Sequence, residues 1–214
     1  MSLADQAFAV IQERIVSGSW APGHALNRRD LAEDLGMSVA PVLEALVLLE
    51  RQGLVETMPR VGTRVRAITQ DGVRGQMLLR EAFEVQAVYL LHGSGLRSHR
   101  SALLPLAEAA DADYEDQRAR WAADLAFHQA LVAALGEPAL TAAYANVMQL
   151  GFFHMINVVI DQQPRRRARD SHVRLLRRLL RVDAASAATA IRHHLASGKL
   201  ALYTQAENTA EEAA

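Results

Sequence analysis

The stretch "LAEDLGMSVAPVLEALVLLE" (residues 31–50) constrains the fold more than any other part of this chain. Two short apolar-periodic segments are separated by one glycine, and segments this short are stable only when packed. Asn27 can cap a first helix that ends at Gly36, and Ser38 can cap a second, with Pro41 inside its tolerated first turn. Ala32 lets the two helices approach, Gly36 takes the positive φ of the turn, and Val42 fills the angle between them. Upstream, Ala7, Val10, Ile11 and Ile15 recur at helical spacing until Gly18, and "SGSWAPG" then marks a turn that Trp20 should pin to the core. Downstream, "LVETM" and "TRVRAI" read as two short strands joined by a turn at Pro59–Gly62. Residues 1–68 are therefore expected to form a winged helix-turn-helix, the alternative being a protein-binding module of the same elements.

From residue 71 the texture changes to long amphipathic helices with hardly any strand signal. Helices are predicted over 71–92, 99–115, 118–135, 138–163, 165–181 and 184–206, the last capped by Asp183. The fold class is thus mostly α: a winged helix-turn-helix, an all-α bundle of about six helices over 71–207, and an acidic tail over 208–214. The chain has no cysteine, which excludes disulfides, thiolate metal sites and a cysteine nucleophile. It has neither a signal-peptide pattern nor an apolar run long enough to span a bilayer, so a cytoplasmic protein with no membrane partner is expected. A formal net charge of −1 provides no global field toward nucleic acid, and residues 1–70 carry seven arginines against eight acidic residues. Any polyanion contact must come from local clusters. The "PRRRARD" run at 164–170 reads as a solvated helix start.

The segments "VSGSWAPGHAL", "DLAEDLGMS", "PVLEALVLLERQGLVE" and "PRVGTRV" resemble the GntR family of bacterial transcription regulators over nearly the whole of residues 4–67. The resemblance implies DNA contacts from Arg28 and Arg29 on the first helix of the pair, from Ser38, Val39, Ala40 and Leu43 on the second, and from Arg60, Gly62 and Arg64 in the wing. The family pattern after the turn is Ser-Arg-Thr-Pro-Val-Arg-Glu-Ala-Leu, whereas this chain has Ser-Val-Ala-Pro-Val-Leu-Glu-Ala-Leu at 38–46. Every framework residue is kept, but both arginines and the threonine are replaced, by Val39, Leu43 and Ala40. Each bidentate arginine–guanine pair contributes about 1–3 kcal/mol of base discrimination, so the operator is expected to differ from a guanine-containing site or to be read less specifically.

The second region resembles the FCD sensor domain of the FadR-type subgroup. "DLAFH" supplies Asp124 and His128, and "SHVRLLRRLL" and "IRHHL" supply His172 and His194, His172 lying 44 positions after His128 and His194 22 positions after His172. Asp124 and His128 are one turn apart, about 6 Å along a helix axis. The resemblance makes these four the ligands of a divalent metal, and imidazoles with a carboxylate suit zinc or nickel first and also manganese or iron. Ser171 stands where the family has Glu, and His193 is turned about 100° from its neighbour His194. Arg80 and Glu84 match the domain's opening pattern. Arg80 is expected to grip a small carboxylate effector, or else to pair with Glu84 or meet a dimer partner. His154, on a very apolar helix, reads as a core or pocket-wall residue that could contact the effector.

The expected function is a ligand-responsive regulator that binds operator DNA as a homodimer and senses a small organic acid through a metal-dependent bundle. Two alternatives are a sensor that has lost specific DNA binding and a helical-bundle metalloenzyme. No HExxH-like or other catalytic grouping accompanies the histidines, so the chain reads as a non-enzyme.

Overall fold

The computed structural model describes residues 1–159 and 171–196. Helix α1 (Leu3–Val16) begins at a capping box in which the Ser2 hydroxyl accepts from the Asp5 backbone N–H and the Asp5 carboxylate accepts from that of Ser2. Its Ala7, Ile11 and Ile15 are fully buried. Helices α2 (Arg28–Asp34) and α3 (Val39–Arg51) are joined at Gly36, whose φ of 64° requires the left-handed region. Ala32, Val42, Ala45 and Leu49 seal the contact. Asn27 caps α2, its side chain accepting from Arg29 N at 3.0 Å. Ser38 occupies the N-cap of α3 with extended backbone, but its side chain makes no capping bond, so only its position matches the expectation.

The wing is a hairpin of β2 (Val55–Met58) and β3 (Gly62–Val65), in register from Val55↔Val65 to Met58↔Gly62. A two-residue strand, β1 (Ala25–Leu26), adds to the far edge of β3 and gives the order β1-β3-β2. Trp20 packs against this core as expected and stacks on His24, with Arg14 over its ring.

The helices that follow are α4 (Gln70–Leu91), α5 (Ser94–Ser98), α6 (Arg100–Ala110), α7 (Gln117–Ala133), α8 (Pro138–Val159), α9 (His172–Leu179) and α10 (residues 184–196), and all but the second half of α8 belong to the second unit. Its core joins Val88, Leu96, Leu103, Phe127, Leu131, Leu176, Leu179 and Ile191. The helix expected over 99–115 is shorter than predicted. It stops at Ala110, and the carboxylate of the next residue, Asp111, accepts from the His172 backbone N–H at the start of α9. Compact packing groups Met1–Thr69 with Gln149–Val158 of α8, and Gln70–Met148 with residues 171–196. The predicted helix ends at 163 and 206, the predicted helix start at 165 within the 164–170 basic run, and the 208–214 tail lie outside the described residues. No helix among the described residues is long and apolar enough to cross a membrane.

Candidate functional site

Three helices of the second unit bring the histidines together. α7 carries Asp124 and His128 on one face, α9 opens with His172, and α10 contributes His194. Ligand nitrogens of the three rings all lie within 4.8 Å of one another, and all three residues are buried. Asp124 Oδ1 is 3.1 Å from His172 Nε2 and 3.8 Å from His128 Nε2, so the carboxylate borders the same space. His193 points outward to the exposed side of α10.

Two of the three rings, His128 and His172, are oriented by a carboxylate behind them. Glu84 Oε2 lies 2.6 Å from His128 Nδ1, which fixes the proton on Nδ1 and leaves Nε2 as a lone-pair donor. That Nε2 is buried without a hydrogen-bond partner, which is costly unless something binds there. Asp111 Oδ1 stands 2.9 Å from His172 Nδ1 and accepts from His172 N at 2.8 Å, while its Oδ2 accepts from Val173 N at 3.0 Å. Ser171 caps α9 through Arg174 N, so in this chain the carboxylate behind His172 comes from α6. Asp111 carried no sequence signal, being 61 residues from His172. Tyr144 was likewise unmarked, and its hydroxyl donates to Glu84 Oε1 at 2.5 Å.

Electrostatics follow from burial and partners. Burial pushes the Glu84 carboxyl up, but the His128 and Arg80 charges outweigh it and hold it at about 2. Asp124 is held well below the carboxylate range, burial again opposed by His128 and Arg80. Burial lowers His172, yet its hydrogen bonds to Asp111 and Asp124 raise it to about 9. Burial and the neighbouring His128 and His172 charges drive His194 down to about 3. A neutral imidazole is the form that ligates, so His194 is already in that form at neutral pH, whereas His172 must give up a proton to bind a cation. The three imidazoles, with an orphaned nitrogen among them and the Asp124 carboxylate beside two of the rings, fit a divalent cation.

Arg80 is 4% exposed on α4. Its Nε donates to Glu84 Oε1 at 2.6 Å and its Nη2 reaches Asp124 Oδ2 at 3.4 Å, so the pairing with Glu84 is formed and extends to Asp124. His154 falls on α8, and its side chain is outside the described part of the structure.

In the winged helix, Arg28 and Arg29 are exposed in the first turn of α2, and Ser38, Ala40 and Leu43 are exposed on α3, with Val39 half-buried. Arg60 lies at the wing turn with φ 66°, beside Gly62 with φ 118°, and both are exposed. Arg64 is half-buried, and its Nε donates to Glu56 Oε1 at 2.7 Å. Arg66, just past the hairpin, is exposed.

Residues 3–65 match the family described as "Bacterial regulatory proteins, gntR family", and residues 77–197 match the FCD domain. The chain belongs to the GntR family, with an FCD domain. It is 28% identical over 202 residues to the "Probable D-xylose utilization operon transcriptional repressor" of Paenarthrobacter nicotinovorans, covering 92% of this chain and 87% of that one. It is 36% identical over 75 residues to an HTH-type transcriptional regulator from an unstable DNA locus of Streptomyces ambofaciens, an alignment covering 35% of this chain and only 32% of the relative. A GntR regulator from Rhodococcus sp. RHA1 shares the fold at a TM-score of 0.74 with 19% identity, over 94% of this chain and 98% of that one. E. coli McbR/YncC shares it at 0.64 with 21% identity, over 96% and 99%. This GntR-family chain is therefore a transcriptional regulator with a DNA-binding helix-turn-helix, and its family is one of regulators rather than enzymes.

Proposed function

We propose that this GntR-family chain is a cytoplasmic, effector-responsive regulator that binds operator DNA as a homodimer. In this reading its FCD domain holds a divalent metal through Asp124, His128, His172 and His194. The observation that carries the metal reading is the convergence of three buried histidines around the partnerless Nε2 of His128. Zinc or nickel suits that donor set best, with manganese or iron as alternatives. When bound, the metal offers open coordination positions to a small carboxylate effector. Arg80, beside Asp124, supplies the guanidinium that would favour an anion there.

For the DNA contact, α3 is assigned to the major groove through Ser38, Val39, Ala40 and Leu43, with Arg28, Arg29, Arg60, Gly62 and Arg64 placed along the backbone. Homodimerisation is supported by the outward side of α4, where Leu78, Leu79, Tyr89 and Leu90 are exposed at helical spacing. A palindromic operator would match such a dimer. The relationship to an operon repressor over nearly the whole chain supports effector-controlled operator binding.

Metal analysis of the purified protein tests the sensor. About one zinc or nickel per chain is expected, with near-complete loss in His128→Ala. Equal metal in both proteins would overturn it. A second reading, a sensor acting through a protein partner without specific DNA binding, is favoured by the absence of any basic residue on α3 before Arg51. Gel shifts on DNA flanking the gene decide between them. Specific binding that weakens in Arg29→Ala, with a salt slope reduced by about 1, supports the first reading. Binding no tighter than to random DNA supports the second.

A further inference from the structure

At 100° per residue, the outward face of α3 is a narrow stripe of Ala40, Glu44, Val47 and Arg51, flanked by Leu43 and Leu48. Val42, Ala45, Leu46 and Leu49 occupy the opposite, buried side, so the stripe is not part of the core. Leu43, Val47 and Leu48 are 38%, 48% and 39% exposed. Such a concentration of exposed apolar side chains on one helix face marks a contact surface.

We infer that this face reads its operator through thymine methyl groups rather than through guanine. The inference rests on the operator-binding reading above. Leu43 and Val47 have no atom that donates or accepts a hydrogen bond. Within the major groove, the one base feature such side chains can favour is the C5-methyl of thymine. Pressed over guanine, they would strip water from O6 and N7 without offering a donor in return, which selects against guanine at those positions. Glu44, exposed within the stripe, can only accept while ionised. It fits the exocyclic amine of cytosine and is repelled by phosphate, so the face is a poor backbone clamp and a selective base reader. Positive charge for the backbone comes from the exposed Arg28 and Arg29 of α2.

The test is a selection of binding sites from random duplexes with the full-length protein, followed by atom-level changes in the selected half-site. Replacing thymine by deoxyuracil removes only the methyl and leaves the protein untouched. Affinity should fall about fourfold for each contacted thymine, the size expected for one buried methyl group. Replacing guanine by 7-deazaguanine should change it less than twofold. In Leu43→Ala and Val47→Ala, which alter exposed positions, the thymine-to-uracil difference should shrink toward one. Specific binding that is indifferent to deoxyuracil, or that collapses with 7-deazaguanine, overturns this inference alone. Selection of no sequence at all overturns it together with the operator-binding reading.

Discussion

The outward face of α3 presents its side chains to solvent, whereas the histidine cluster of the bundle keeps its chemistry buried. On α3 the packing residues Val42, Ala45 and Leu49 are fully buried, while the side chains that would meet a ligand face solvent. In the bundle the chemistry is itself buried, and each group is held by another. Tyr144 and Arg80 hold Glu84, Glu84 holds His128, and Asp111 ties His172 to the end of α6. A solvent-facing reading surface can change residue by residue while the frame stays, and here the family arginines have given way to Val39 and Leu43. A buried network cannot lose one member without leaving an unpaired charge behind.

The largest effect that could break this contrast is Glu84→Gln in metal-free protein. It removes the anion that neutralises Arg80 and should cost about 3–5 kcal/mol in denaturant melts. A cost below about 1 kcal/mol would mean the network is less interdependent than its geometry implies. The same carboxylate predicts an acid response. Its folded value of about 2 lies below its ordinary 4.5, so its contribution is present above about 4.5 and is lost as pH falls toward 2. Melting midpoints measured in chelator should therefore drop more steeply over that window in the native chain than in Glu84→Gln.

Asp111→Asn comes next. It keeps shape but weakens the acceptor behind His172, and metal affinity measured by calorimetry should fall about 10–100-fold. Unchanged affinity would reduce Asp111 to a helix cap. The winged helix supplies the smaller effects. Asn27→Ala removes a capping bond that is formed and should cost about 1 kcal/mol. Ser38→Ala removes none, and Leu43→Arg changes a solvent-facing position. Each should stay within about 0.5 kcal/mol, which thermal denaturation can resolve.

The difference in legibility between the two regions has the same origin. In the winged helix, Gly36, Ala32 and Val42 could be assigned from spacing alone because their partners lie within a turn or two along the chain. Even there β1 was missed, since a two-residue strand has no periodicity and exists only because β3 offers an edge. In the bundle, Asp124, His128, His172 and His194 were legible through the family resemblance, and the structure brings them together. Asp111 and Tyr144 were not, because nothing near them in sequence distinguishes them from any surface acid or core tyrosine.

The amino-acid sequence by itself determined the order of helices and wing, the positions of the Asn27 and Asp183 caps, and the loss of basic side chains from α3. These depend on contacts between residues a few positions apart and on backbone preferences that each residue carries anywhere. Only the tertiary structure decided that Ser38 leaves its helix end without a side-chain bond and that Arg80 spans Glu84 and Asp124. It also decided that α6 stops where its Asp111 meets α9. Those outcomes hinge on angstrom-scale approach between segments far apart in the chain, which packing sets and local sequence does not encode.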